Sequence, residues 1–96
     1  MTNSCVYIIA NKKNGVLYIG LTKKLKTRIR QHITKAHPNT FSARYDLNKF
    51  VYFEKYEEEE VTKEREKRMK KWRRNWKSEL IENKNPNWDD LYNELK

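Results

Sequence analysis

Cysteine, glycine, proline and long apolar runs are all scarce in this chain of 96 residues, and each scarcity excludes a class of protein. The single cysteine, Cys5, cannot form an internal disulfide, and two histidines are too few to complete a thiolate zinc site with it. Two glycines and two prolines leave no flexible linker or low-complexity segment. The first apolar run is about six residues long, too short for a signal peptide or a membrane span. We therefore expect a reduced, cytoplasmic protein without a disulfide-linked partner.

The rest of the composition predicts one small folded domain over residues 1–96. Hydrophobic and charged residues each make up 36% of the chain, so a single modest core is all that it can build. Three Trp, six Tyr and three Phe supply large side chains for that core. Such an aromatic content is too high for a disordered chain.

Positive charge dominates the remaining residues. Lys and Arg number 22 against 13 Asp and Glu, which gives a formal net charge of +9. On so small a domain this excess favours a polyanionic partner, usually nucleic acid. A membrane surface is disfavoured, because binding to it needs a basic helix with a wide apolar face, and the helices of this chain need their apolar residues for the core.

The N-terminal quarter predicts a β-hairpin. Two β-rich segments, "SCVYIIA" and "GVLYIGL", are separated by "NKKNG", in which the Asn-Gly pair is typical of a turn. If an even-length loop is centred within residues 11–15, the residue numbers of any two cross-strand partners add up to an odd number. Tyr7 and Tyr18 then lie on the same face of the sheet and can converge on one patch.

After the hairpin the hydrophobic period becomes helical, with Thr22 as the expected N-cap. Arg28 and His32 lie four residues apart and so share one face of this helix. "KFVYFEKY" predicts a third strand. Residues 58–83 predict a long helix or helix pair, and "NPNWDDLYNELK" predicts a last short helix capped by Asn87. The inward side of the long helical segment is marked by Val61, Met69, Trp72, Trp76 and Leu80. The order β-β-α-β-α-α indicates an α+β domain with a small antiparallel sheet.

The segment 63–77, "KEREKRMKKWRRNWK", contains nine basic and two acidic residues. A solvated helix face with ion pairs such as Glu64 with Arg68 would account for part of this charge. Contacts to DNA phosphates account better for the basic residues that remain unpaired. The residues that we expect to bind nucleic acid are Lys24, Arg30, Arg44, Lys70, Lys71, Arg73, Arg74 and Lys77.

Five residues could form a catalytic site for phosphodiester hydrolysis, although each has an ordinary explanation of its own. Tyr7 and Tyr18 could be half-buried strand aromatics, and Arg28 could simply cover the edge of the core. His32 could be a helix-surface residue and Glu66 a salt-bridge partner. Together they supply what the reaction needs. Tyrosine can position or deprotonate water when a nearby cation lowers its pKa, arginine can clamp phosphate, and histidine can move protons. One carboxylate facing phosphate can hold Mg²⁺.

The ordered set Val6-Tyr7-Ile8, Tyr18-Ile19-Gly20, Arg28, His32 and Glu66 resembles the GIY-YIG nuclease family, in particular its small stand-alone bacterial branch. The resemblance implies a three-stranded antiparallel sheet flanked by helices and hydrolysis of DNA with Mg²⁺ or Mn²⁺. It also implies a role for each site residue: Glu66 would hold the metal, Tyr7 and Tyr18 would shape and activate the water, Arg28 would bind the scissile phosphate and His32 would assist proton transfer.

The chain departs from the family pattern at three points. Val6 replaces the glycine of the first motif, Leu21 stands where DNA-repair relatives carry lysine, and the downstream asparagine has no clear counterpart, Asn75 being the nearest. By the same resemblance, Gly20 would allow substrate or a helix to approach the end of the strand closely.

Three functional hypotheses follow from the sequence. The first is a metal-dependent DNA endonuclease, structure-directed or weakly specific. The second is a non-catalytic nucleic-acid binding module on the same scaffold, and the third is a basic accessory protein with an acidic protein partner. Convergence of Tyr7, Tyr18, Arg28, His32 and Glu66 in one pocket would favour the first hypothesis over the second.

Overall fold

Three antiparallel strands form the centre of the fold, in the order β2-β1-β3. The structure, a computed structural model, describes residues 3–95. Its elements are β1 (Ser4–Ala10), β2 (Leu17–Thr22), α1 (Leu25–Ile33), α2 (Phe41–Arg44), β3 (Lys49–Tyr56), α3 (Glu59–Lys71), α4 (Arg74–Lys84) and a 3₁₀ turn (Tyr92–Glu94). The predicted α+β class, hairpin, third strand and helix pair are confirmed. Within the described residues no helix has the length and apolar character needed to cross a bilayer.

The two faces of the sheet carry separate core clusters. Side chains alternate along β1, so Val6, Ile8 and Ala10 pack on one face and Cys5, Tyr7 and Ile9 on the other. The first cluster contains Met69 of α3, Ile81 of α4 and Trp88. The second contains Leu25 and Ile29 of α1, together with Leu47 and Phe50. The central strand is therefore buried on both sides, between two helical layers.

The turn between β1 and β2 depends on Asn14 more than on the glycine beside it. Asn14 adopts the left-handed conformation, with a φ of 59°, and Gly15 does not. The Gly15 amide donates to the carbonyl oxygen of Lys12 at 2.9 Å. Asparagine tolerates positive φ better than most residues, which explains why the Asn-Gly signal placed the turn correctly.

Several predicted helix boundaries are wrong. Thr22 is the last residue of β2 and not an N-cap; its hydroxyl accepts a hydrogen bond from the Lys24 amide at 3.0 Å, and α1 begins at Leu25. The expected C-terminal helix is reduced to the 3₁₀ turn, because the backbone at Trp88 is left-handed (φ 54°) and a helix capped by Asn87 cannot continue through it. The connector before β3 contains the unpredicted helix α2.

The expected inward side of the long helical segment is also partly wrong. Met69 is fully buried and Trp72 and Leu80 are partly buried, as predicted, but Val61 and Trp76 are exposed. The backbone is extended at Trp72 and Arg73, between α3 and α4. This break resets the helical phase, so one periodic stripe cannot describe both helices.

Glu54 fastens β3 to α3. Its carboxylate accepts hydrogen bonds from Nε and Nη2 of Arg65 at 2.9 and 3.0 Å, from Tyr56 Oη at 2.7 Å and from Tyr52 Oη. Only 11% of the Glu54 side chain is exposed. Burial by itself raises the pKa of this carboxyl, but the hydrogen bonds from Arg65 and the tyrosines outweigh it and lower the pKa to about 2.

We predict that Glu54→Gln lowers the free energy of unfolding by about 1–3 kcal/mol at neutral pH, because Arg65 then loses its charged acceptor in a part-buried site. The folded pKa lies below the ordinary value of 4.5, so this stabilisation is complete above pH 4.5 and is lost as the pH falls towards 2. Urea denaturation across this pH range measures both effects. Glu64→Gln is the control, since its ion pair with Arg68 is exposed and worth at most about 1 kcal/mol. Equal losses for the two variants would contradict the prediction.

Candidate active site

Four of the five predicted catalytic side chains meet on the face of the sheet that α1 covers. Tyr7 comes from β1, Tyr18 from β2, and Arg28 and His32 from consecutive turns of α1. The ring centroids of Tyr7, Tyr18 and His32 are separated by 5.6 to 6.3 Å. The strand register pairs Tyr7 with Gly20. Tyr18 lies two residues before Gly20, so both tyrosines lie on the same face of the sheet. The predicted convergence of the two tyrosines is confirmed.

Gly20 makes room for the Tyr7 ring. A Cβ at position 20 would lie 2.5 Å from Tyr7 Cζ and 2.9 Å from Tyr18 Cε2, closer than packed carbon atoms can approach. The phenol of Tyr7 therefore lies across β2 only because its cross-strand neighbour has no side chain. We expected substrate or a helix to approach this glycine, but in the structure Tyr7 itself does so.

Hydrogen bonds join these side chains into a chain. Arg28 Nε donates to Tyr7 Oη at 3.4 Å, and Tyr7 Oη lies 2.9 Å from His32 Nε2. The other ring nitrogen, His32 Nδ1, lies 2.7 Å from Ser42 Oγ on α2. Arg28 also donates through Nη1 to Gln31 Oε1 at 3.2 Å. Both nitrogens of His32 thus have partners, as a buried histidine requires.

The electrostatics of the site determine the direction of these bonds. Burial, assisted by the Arg28 charge, lowers the pKa of His32 to about 4, so the imidazole is neutral at pH 7. Burial raises the pKa of Tyr7 to about 12, and the Glu66 charge acts in the same direction, against the opposing effect of Arg28. Tyr7 Oη accepts from Arg28, and His32 Nε2 is the other side-chain atom within hydrogen-bond distance, so we assign the Tyr7 proton to a bond donated to an unprotonated Nε2. His32 therefore carries its proton on Nδ1 and donates it to Ser42 Oγ.

Glu66 lies on α3, the helix that packs on the face of the sheet opposite to α1. This helix packs against β1 and β2, and the Glu66 carboxylate is 22% exposed and ion-paired with Lys70 Nζ at 3.3 Å. Its charge is the smallest of the effects that act on the pKa of Tyr7, which it raises. Among residues 3–95, no three His, Cys, Asp or Glu side chains are grouped as a metal site would require. Of the five predicted catalytic residues, Glu66 is the one carboxylate that could hold a cation.

The predicted DNA-binding residues do not all lie at this site. Lys70 and Lys77 line a groove of about 310 Å³ beside Tyr18, at the edge strand β2. Burial and the charge of Arg74 lower the pKa of Lys77, and its Nζ donates to the Lys70 carbonyl at 3.4 Å. The guanidinium of Arg74 donates to the carbonyl of Gly15 in the hairpin turn.

The remaining basic residues are spread over the surface. Lys71 ends α3 and Arg73 precedes α4, and both are exposed. Lys24 and Arg44 are exposed at the start of α1 and the end of α2. Arg30 lies two residues from Arg28 on α1 and so on another face of that helix, where it donates to Tyr92 Oη at 3.1 Å. Arg30 is thus not part of the cluster around Tyr7.

Ser42 is the site residue that the sequence did not reveal. It is buried, lies ten positions after His32 and reaches the imidazole only because the chain after α1 folds back into α2. Its hydroxyl also lies 3.3 Å from Thr40 Oγ1. No local pattern in "HPNTFSAR" predicts this contact, since a serine in a connector is ordinarily solvated.

Two of the positions at which the chain departs from the family pattern, Val6 and Asn75, lie outside this cluster. Val6 is fully buried in the opposite core cluster, so its side chain leaves the tyrosine face unchanged. Asn75 is exposed on α4 and lies in a different groove, with Asn14 and Arg74. Tyr7, Arg28 and His32 themselves match the pattern on which the resemblance rests.

Comparisons with known proteins identify the family and support the fold. Residues 3–79 match the family described as the GIY-YIG catalytic domain. A UPF0213 protein from Clostridium perfringens is 40% identical over 83 residues, which cover 82% of this chain and 83% of the relative. The solution NMR structure of a UPF0213 protein from Bacillus halodurans superposes with a TM-score of 0.56 at 24% identity, covering 93% of both chains, and supports the fold. Neither name states an activity or a substrate.

The hydrogen-bonded chain predicts one tautomer of His32. We expect nitrogen-15 NMR to find the Nδ1–H form, and the imidazole to stay neutral until the pH falls towards 4. Ser42→Ala removes the acceptor of that proton, so the Nε2–H form should become more populated. Thr34→Ala is the control, because its hydroxyl bonds only to the Arg30 carbonyl at an exposed position. A wild-type protein in the Nε2–H form would contradict the assigned direction of the Tyr7–His32 bond.

Proposed function

Because the chain belongs to the GIY-YIG family of nuclease-type domains, we propose that it is a metal-dependent endonuclease that hydrolyses phosphodiester bonds in DNA. The observation that carries this proposal is the hydrogen-bonded chain Arg28–Tyr7–His32, beside Tyr18 and within range of Glu66. These hydrogen bonds place an arginine and a neutral histidine around the hydroxyl oxygen of Tyr7. The packing of a hydrophobic core does not require such an arrangement. The net charge of +9 supports DNA as the partner.

Arg28 is suited to bind the scissile phosphate. A guanidinium has five N–H donors, and the bonds to Tyr7 and Gln31 use two of them. The remaining donors can reach phosphate oxygens while Nε keeps its bond to Tyr7. The same side chain then stabilises the negative charge that develops on phosphate and orients the phenol.

Tyr7 and His32 provide a route for the proton of the attacking water. As water attacks phosphorus, its proton passes to Tyr7 Oη, and the proton of Tyr7 passes to His32 Nε2. The proton on His32 Nδ1 stays bonded to Ser42, which keeps the ring in the orientation needed to accept. Burial disfavours the charged imidazole, so His32 gives up its proton again, and the leaving 3′-oxygen or water can receive it.

Glu66 is the residue that we propose to hold the metal. One half-buried carboxylate, without a histidine or cysteine cluster around it in the described range 3–95, fits a hard cation that keeps most of its waters. Mg²⁺ and Mn²⁺ meet this description. When bound, such an ion neutralises charge on the phosphate and the leaving oxygen. Lys70, which pairs with Glu66 in the free protein, would then be available to the DNA backbone.

The basic groove beside Tyr18 supports a DNA path past the site, with Lys70 and Lys77 on its wall. Contacts to phosphates carry little sequence information, so we propose that recognition depends on DNA structure more than on sequence. The free, buried Cys5 is compatible with the reducing cytoplasm, where we expect the protein to act.

Cleavage assays should show metal-dependent cutting that needs both Tyr7 and Glu66. We expect Tyr7→Phe and Glu66→Gln each to lose about 100-fold or more in rate, because each removes a group from the reacting site. The assay uses labelled single-stranded, duplex, flap and four-way DNA with Mg²⁺, with Mn²⁺ and with chelator. Glu64→Gln, an exposed carboxylate on the same helix, should cut like wild type. If no protein cuts but all bind DNA equally, the chain is a binding module on the nuclease scaffold.

Salt dependence tests the basic groove separately from catalysis. Replacing Lys77 by Gln should weaken DNA binding and reduce the slope of log affinity against log salt by about 0.9, the release of roughly one counterion. Lys84→Gln should leave the slope unchanged, because Lys84 lies over the Tyr52 ring, near β3. An unchanged slope for Lys77→Gln would remove this groove from the DNA path. Weak DNA binding even at low salt would favour an acidic protein as the partner.

A further inference from the structure

An aromatic pair is exposed on and just after α2. The rings of Phe41 and Tyr45 have centroids 4.7 Å apart, and 47% of each residue is exposed. Neither residue belongs to the two core clusters of the described chain. Only 36% of the residues are hydrophobic, so the packing of the core does not explain why two large rings lie against each other in solvent, tilted by 40°.

The pair continues the row of rings at the candidate active site. Phe41 lies 6.4 Å from Tyr18, centroid to centroid, and Tyr18 adjoins Tyr7 and His32. The rings therefore lead from solvent, through Phe41, to the hydroxyl that Arg28 holds. The same short helix carries Ser42, which bonds to His32, so its position is tied to the site.

Positive charge borders the aromatic pair. Phe41 lines the groove that contains Lys70 and Lys77. Arg44 lies between the two aromatics in sequence and is exposed. Aromatic rings interleaved with lysine and arginine are typical of surfaces that bind single-stranded nucleic acid, where the rings stack on bases and the cations contact phosphates.

We propose that Phe41 and Tyr45 are a stacking platform for an unpaired base of the DNA strand whose phosphate lies at Arg28. This rests on the proposed function and specifies its substrate class as single-stranded DNA or DNA with unpaired nucleotides beside the cut. A base inside a duplex has both faces covered by its neighbours, so it cannot stack on a protein ring unless it leaves the helix. The positive border favours a nucleic-acid strand over an apolar protein segment as the occupant.

Binding in the presence of chelator tests this platform without cleavage. The probes are a fluorescein-labelled single-stranded oligonucleotide and the matching duplex. The double variant Phe41→Leu with Tyr45→Leu keeps apolar bulk but removes both π-faces. We expect it to bind the single strand about 5- to 100-fold more weakly, the range for loss of base stacking, and to bind the duplex like wild type. A 2-aminopurine in the single strand should be quenched by wild type and much less by this variant.

Two further variants separate stacking from misfolding and from a general loss of apolar surface. Phe41→Tyr keeps a ring and should retain wild-type affinity for the single strand. Val61→Ala removes an exposed apolar group from another groove and should change neither affinity. Loss of single-strand binding in Phe41→Tyr as well, or equal losses for single strand and duplex, would overturn the platform.

These binding experiments can fail or succeed independently of the nuclease proposal. If wild type does not cut DNA but the leucine variant loses its preference for the single strand, the platform is supported and only the nuclease assignment fails. If wild type cuts and the leucine variant binds single strands as tightly as before, the platform is overturned and the nuclease remains. A leucine variant with unchanged DNA binding but reduced self-association in sedimentation would assign Phe41 and Tyr45 to a protein contact and overturn the platform too.

Discussion

The placement of one side chain, Tyr7, is the constraint on which the candidate site depends. Its ring lies across Gly20 on the neighbouring strand, and its hydroxyl is held between Arg28 and His32 of α1. A side chain at position 20 would push the ring away and break both bonds. Through this one phenol the two strands and α1 are joined, and through the bond from His32 to Ser42 the connection extends to α2.

Burial gives these groups their protonation states. Taking an imidazole out of water disfavours its charged form, and taking a phenol out of water disfavours the phenolate. Both effects favour a neutral pair, so one proton lies in the Tyr7–His32 bond and can move along it. The cation that the pair needs is the guanidinium of Arg28, which stays charged because its pKa is far above neutrality. The site thus has a neutral interior beside a positively charged surface.

The fold was largely predictable from local patterns, and the errors fall where tertiary contacts determine local structure. Strand β3 was predicted within its observed bounds, because aromatic and β-branched residues are concentrated there. Thr22, in contrast, looks like an N-cap but ends β2, because pairing with Cys5 extends the strand that far. The C-terminal segment has the periodicity of a helix, but only its 3₁₀ turn is regular. Leu91 and Leu95 nevertheless pack against the second core cluster.

By itself the sequence determined which residues share a face: the parity of a hairpin places Tyr7 with Tyr18, and the pitch of a helix places Arg28 with His32. It also determined the sign of the surface charge, since that is a sum over residues. Only the tertiary structure decided that these two pairs meet and that Gly20 leaves room for the Tyr7 ring. It also decided that Ser42 and the Phe41–Tyr45 pair lie beside them. These contacts join residues far apart in the chain. Such distances depend on how strands and helices pack, and no local period contains that information.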